Sequence, residues 1–218
     1  MSVAPPPSDL TRFPRLRPAD QRRALYRIFH ARHHRTGRPD PAWHYSSAVA
    51  PGEGNRFDLR APHGTCYWSD RKYGAWVEVF RGALLVDAED ARARRLHVAI
   101  PPDLRAADLT APRAYSFGVT AEISTTGDYT LPQAWAGALH AAGFDALRGT
   151  CRHDPSSRAH DVAVFGRSGP AARRLGWRTT RDRVETDLEL RRELDELGVA
   201  TAPVPHTVPV TPPPGTAP

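Results

Sequence analysis

Short strand-like runs follow one another in this chain without a helix between each pair, and that order limits the fold more than any other feature. Strand-like runs occupy residues 24–30, the stretch ending near Tyr67, and residues 83–87, 96–100, 144–152 and 161–166. Helical spacing is confined to residues 71–81, 132–142 and, roughly, 182–197. A doubly wound parallel sheet needs a helix at nearly every crossover. The order here predicts an α+β fold instead, a compact core of mixed and antiparallel strands with peripheral helices. Pro101-Pro102 closes the 96–100 run, since proline cannot continue a central ladder. Pro132 suits the first turn of its helix and Gly143 its stop.

Two charged residues stand out against this pattern. In the 24–30 run, alternation puts Leu25, Arg27 and Phe29 on one face and Tyr26, Ile28 and His30 on the other. A guanidinium among large apolar side chains needs an anion, either a protein carboxylate or a ligand phosphate that suits its planar fork. In the 71–81 helix, Tyr73, Trp76, Val77 and Phe80 make one apolar face, with Ser69 or Asp70 placed to cap its start. Glu78 projects off that face, with Gly74, Ala75 and Gly82 as neighbours. Small neighbours leave room for a molecule to approach its carboxylate, although an ordinary solvated helix glutamate has the same pattern.

The length suits one domain. Its ends differ from its middle: five of the 22 prolines lie at or before Pro18 and seven at or after Pro203. Residues 1–21 are therefore expected to be a disordered Pro/Arg-rich arm and residues 201–218 a disordered Pro-rich tail. Residues 22–170 make the principal domain, and residues 171–200 an extension with an amphipathic helix. Lys72 is the only lysine among the 30 basic residues, and no block of like charge argues for direct nucleic-acid binding. Cys66 and Cys151 lack the spacing of a metal knuckle, and His30, His33 and His34 read as a solvated basic edge, so no metal is expected. No signal-peptide core or long apolar span is evident, which gives a cytoplasmic expectation.

Four segments in this order resemble the RES domain family. They are Leu25-Tyr26-Arg27-Ile28; Asn55-Arg56-Phe57-Asp58, followed by Gly64-Thr65-Cys66-Tyr67-Trp68 and the helix of Glu78; Gly127-Asp128-Tyr129-Thr130-Leu131-Pro132-Gln133-Ala134-Trp135-Ala136; and Gly143-Phe144-Asp145-Ala146-Leu147 through Cys151-Arg152 to Ala163-Val164-Phe165. The resemblance implies an ADP-ribosyltransferase-like fold and a toxin that cleaves the nicotinamide–ribose bond of NAD⁺, with water or inorganic phosphate as acceptor. NAD⁺ is then a substrate, with no separate cofactor. It also implies a helix-turn-helix antitoxin as partner. Carried over by motif, Arg27 takes the family's arginine position, Tyr67 its tyrosine and Glu78 its glutamate, while Cys151 stands where the family has serine.

Departure of nicotinamide leaves an oxocarbenium-like ribose, which Glu78 would stabilise. Arg27 would clamp the pyrophosphate, and Tyr67 would stack on the nicotinamide or line its slot. Arg56 is a second candidate for the anion, with a structural ion pair as the alternative. Cys151 is the departure from the family pattern: a thiol is the larger group and the poorer donor. Two other functions fit the same residues. One is ADP-ribosyl transfer to a macromolecule, and the other is a catalytically weakened RES-like module that binds a nucleotide or a partner.

Overall fold

Seven strands pair into one sheet: β1 (Leu25–His30), β2 (His63–Ser69), β3 (Arg94–Ile100), β4 (Ala106–Asp108), β5 (Ala146–Thr150), β6 (His160–Arg167) and β7 (Arg178–Arg183). Their order across the sheet is β7-β3-β1-β2-β6-β5-β4. All neighbours run antiparallel except β4 and β5. The longer helices are α1 (Lys72–Val79), α2 (Thr130–Ala141) and α3 (Leu188–Glu196). This computed structural model describes residues 3–32, 37, 41–101, 103–171 and 176–203. The mixed, mostly antiparallel α/β architecture is the one the strand order predicts. No helix among the described residues is long and apolar enough to cross a membrane.

Both faces of the sheet are covered. One carries Leu25, Phe29, Cys66, Trp68, Val162 and Val164, closed by Trp43 and Trp177. The Trp43 ring centroid lies 4.6 Å from that of Trp68 and 5.2 Å from that of Trp177. The other face carries two separate clusters. Leu147, Ala163 and Phe165 lie with Trp135, Ala136 and Leu139 of α2. Ile28 and Leu96 lie with Ala75, Trp76 and Val77 of α1 and Leu190 and Leu194 of α3. Each large apolar side chain so buried contributes about 1.5–3 kcal/mol. Gly143, at φ 82°, ends α2 as its position suggests.

Four expectations need correction. The first is the disordered arm of residues 1–21. Val3, Leu10, Phe13 and Leu16 are buried, with Phe13 against Phe117, Trp135 and Phe144. Backbone bonds from Leu16 N to Ala106 O at 2.9 Å and from Asp108 N to Pro14 O at 2.9 Å tie the segment to the sheet margin at β4. Prolines are tolerated there because a margin needs few donors; the three-residue spacing of Leu10, Phe13 and Leu16 carried the signal that composition hid. The second concerns residues 36–55, which the strand-like runs leave out: Trp43–Tyr45 and Ser47–Ala48 are short strands. His33 and His34 lie outside the described residues.

The third is the C-terminal extension. Residues 178–183 join the main sheet as β7, and the helix starts only at Leu188, with the Asp187 carboxylate accepting from Leu190 N at 2.8 Å. Charges along β7 suit a sheet edge, where they discourage further pairing. Leu190 and Leu194 face inward, whereas Leu188 is 77% exposed. Strand Ala200–Ala202 then pairs with Leu85–Asp87, and most of the expected disordered tail lies outside the described residues. The fourth is the cap of α1: neither Ser69 nor Asp70 caps the helix, and Arg71 stands at that position without a side-chain bond. Asp70 instead accepts from His160 N at 2.8 Å.

Candidate active site

The site forms where the sheet comes apart. β3 pairs with β1 from Leu25 to His30, and β6 pairs with β2 from His63 to Ser69. Between β1 and β2 a single register pair, Tyr26 with Ser69, holds the two halves together. A cavity of about 420 Å³ opens along this seam. Its walls include three consecutive residues from each strand, Tyr26 to Ile28 and Tyr67 to Ser69. Consecutive residues alternate faces, so the opening lies between strand edges rather than on one face of the sheet. The volume suits a small-molecule ligand.

Arg27 sits in the seam. Its Nη1 donates to the Tyr67 carbonyl at 2.9 Å and lies 3.5 Å from Cys66 Sγ, while Nε is buried without a partner. No carboxylate among the described residues pairs with it. Tyr67 lines the same wall, its hydroxyl donating to Asp58 Oδ1 at 2.9 Å and accepting from Phe57 N at 2.9 Å. Burial, and then the Asp58 carboxylate, raise the phenol well above its ordinary pKa, so it stays neutral. Asp58 also accepts from Ser46 Oγ at 2.6 Å and Asn55 N at 2.8 Å. That network fixes the loop carrying Arg56.

Arg56 is not held by an ion pair among the described residues. Its Nη1 donates to the Thr126 carbonyl at 2.9 Å, and the guanidinium lies 5.0 Å from the Tyr129 ring centroid. Partial burial lowers its pKa, the mark of a cation short of counter-charge.

Glu78 faces the cavity from α1. Its Oε1 accepts from Cys151 Sγ at 3.1 Å and from His153 N at 3.2 Å, and Oε2 has no partner among the described residues. The space beside it does not come from Gly74, as the sequence suggested. A Cβ on Gly74 would collide with Ser69 Oγ and lie 2.8 Å from Ala159 Cβ. Gly74 therefore seats α1 hard against the sheet, and Ala75 and Val79 flank Glu78 at the cavity wall. Cys151 is buried beneath the wall. Burial first, then Asp161 and Glu78, push its thiol far up, so it is an S–H donor and not a thiolate nucleophile.

Four of the five sequence candidates, Arg27, Arg56, Tyr67 and Glu78, line one cavity, and Cys151 touches it through Glu78. Sequence reasoning missed Asp161, the second residue of β6, which lines the same cavity as Glu78 and Ser69. The signal was present: by alternation Asp161 shares a face with the buried Ala163 and Phe165. Donor atoms of Glu78, Cys151 and Asp161 all lie within 4.8 Å of one another. A divalent cation accepts such spacing. Yet burial raises both the thiol and the Asp161 carboxyl, and each would have to release a proton to ligate. A second cavity of about 540 Å³, lined by His63 and His140, presents Arg60 and Asp58 but no comparable pairing of free cations with facing acids.

A mostly antiparallel sheet split at one seam, with Arg27, Arg56, Glu78 and Asp161 lining one cavity there, defines a mixed α/β protein with a charged cleft. The RES domain model matches residues 24–191, and the chain belongs to that family. Among solved structures it resembles a chain in the crystal structure of the M. tuberculosis MbcT–MbcA toxin–antitoxin complex, with a TM-score of 0.53. The two are 20% identical over 78% of this chain and 89% of that one, a likeness of fold. No curated protein sequence matches the chain.

Proposed function

We propose that this chain is a toxin-type enzyme that cleaves the nicotinamide–ribose bond of NAD⁺, passing the ADP-ribosyl group to water or inorganic phosphate. The observation that carries the reading is the charge layout of the seam. Arg27 and Arg56 lack carboxylate partners among the described residues, while Glu78 stands on the wall of the same cavity. A dinucleotide offers the complementary pattern, an anionic pyrophosphate and a ribose that turns cationic as its bond breaks. Arg27 and Arg56 receive the pyrophosphate in charge-assisted bonds. The Tyr67 ring, fixed through its hydroxyl, forms a flat apolar wall for nicotinamide. Glu78, held through Oε1 by two donors, turns a fixed charge toward the developing oxocarbenium ion. Nicotinamide leaves neutral from a cationic precursor, so the step needs no strong general acid.

Cys151 is compatible with this chemistry because its S–H already makes a bond to Glu78. The toxin–antitoxin context of the structural relative motivates an antitoxin partner for this chain as well. Incubation of the purified protein with NAD⁺, with and without phosphate, should release nicotinamide. Glu78→Gln should reduce release roughly a hundredfold or more. Recovery of all ADP-ribose in small molecules separates this activity from transfer to a macromolecule. Absence of release above the Glu78→Gln level would reject the proposal.

A further inference from the structure

Asp161 has no assigned task in the chemistry above, yet it lines the same cavity as Glu78 and Arg56. Its register partners are Ser69 on β2 and Gly149 on β5, so it stands inside the sheet and not at a frayed margin. It makes no ion pair among the described residues. Its donor atom and that of Glu78 lie within 4.8 Å of each other. Two carboxylates this close in a partly closed cavity do not both ionise near neutrality.

The groups facing Asp161 decide which one keeps the proton. Glu78 on α1 receives hydrogen bonds from Cys151 and His153 N. Asp161 has no such donor. Arg56 draws it toward ionisation from across the cavity, and Asp70 at the end of β2 opposes that. Asp70 is itself bonded to His160 Nδ1 at 3.0 Å and paired with Arg148 at 3.5 Å. Arg152 and His153 follow β5, with Arg152 exposed to solvent. Tyr67 and Cys151 keep their protons. Burial, followed by the Glu78 charge, raises the Asp161 carboxyl well above the usual carboxylate range.

We propose that Asp161 is the proton-bearing member of a carboxyl pair with Glu78, a positioning residue that leaves the cavity one negative charge and keeps Arg56 free for the substrate's pyrophosphate. The inference rests on the NAD⁺-cleaving function for its kinetic consequence, but not for its protonation state. As pH rises, Asp161 loses its proton. The second anion then attracts Arg56 and repels the pyrophosphate, so KM for NAD⁺ climbs while kcat changes less.

The test compares wild type, Asp161→Asn, Asp161→Ala and Glu78→Gln. Asp161→Asn, permanently neutral and of the same shape, should keep nicotinamide release within about threefold at pH 7 and lose the alkaline rise in KM. Asp161→Ala, also neutral, should likewise lose the alkaline rise in KM. A merely structural role predicts the same alkaline KM profile in wild type and Asp161→Asn, and that result would overturn the proposal. Infrared spectroscopy supplies an arm that needs no turnover. Wild type should show a protonated-carboxyl stretch at pH 7 that is missing in Asp161→Asn. In Glu78→Gln the band should disappear at lower pH than in wild type. If the band is present but no nicotinamide is released, the carboxyl pair stands and the enzymatic reading falls. If the band is absent at neutral pH, the pair itself is refuted.

Discussion

At the scale of single residues, the Cys151–Glu78 contact governs how this chain departs from its family's serine. The thiol donates one weak bond to a carboxylate that also has His153 N. Replacing it with a better donor should therefore change little. Cys151→Ser should leave nicotinamide release equal or a few-fold higher, and Cys151→Ala should lower it by the equivalent of about 0.5–1.5 kcal/mol. Loss of all activity in Cys151→Ser would assign the sulfur a role that the geometry does not support. His97 is a second residue with a measurable consequence. It pairs in register with Arg27, is buried against Trp43 and Trp68, and has no hydrogen-bond partner among the described residues for either ring nitrogen. Burial, then the charges of Arg181 and Arg27, lower its pKa from 6.5 to about 4. The unfolded chain thus binds this proton first as pH falls. The contribution is fully present above pH 6.5, declines down to about pH 4 and is flat below. The loss is on the order of 3 kcal/mol. Denaturant unfolding of His97→Phe across that window should show a shallower decline than wild type.

At the scale of elements, close approach of α1 to the sheet positions Glu78, the carboxylate proposed to stabilise the ribose cation. Gly74 meets Ser69 and Ala159 with no room for a methyl group. Gly74→Ala should push α1 outward, destabilise the protein by about 1–3 kcal/mol and lower kcat more than it raises KM, read by thermal unfolding and nicotinamide release. An unchanged kcat would mean that the position of α1 does not set the reaction. Much of this level was legible in the sequence. The alternation of 24–30 gave β1, and the i, i+3, i+4 spacing of Tyr73, Trp76 and Val77 gave α1 and its buried face. The role of Gly74 was not legible, because open space and close packing both call for a small residue. Strand β7 was not legible, since its charged edge residues carry no apolar alternation. Asp161 was overlooked because an acid opening a strand resembles a turn residue until its partners across the ladder are known.

At the scale of the whole molecule, the N-terminal segment and α3 brace the two halves of the split sheet. Phe13 fills the cluster under α2, and Trp135 Nε1 donates to the Ala4 carbonyl at 2.8 Å. Lys72 joins α1 to the region of α3 through Asp187 at 2.8 Å and Glu189 at 2.7 Å. Phe13→Ala should cost about 3–5 kcal/mol by chemical denaturation. It should leave nicotinamide release per folded molecule unchanged, because no residue of that segment lines the cavity. The convergence of Arg27, Arg56, Tyr67 and Glu78 was implied by family likeness, but the seam that brings them together depends on where β1 and β2 stop pairing, a long-range outcome that no local pattern encodes. A crystal structure of Glu78→Gln soaked with NAD⁺ interrogates that seam most directly. The expected result is a dinucleotide with its pyrophosphate on Arg27 and Arg56 and its nicotinamide ribose beside residue 78 and Asp161. Density for NAD⁺ in the His63–His140 cavity, or none in the seam at saturating NAD⁺, would contradict it.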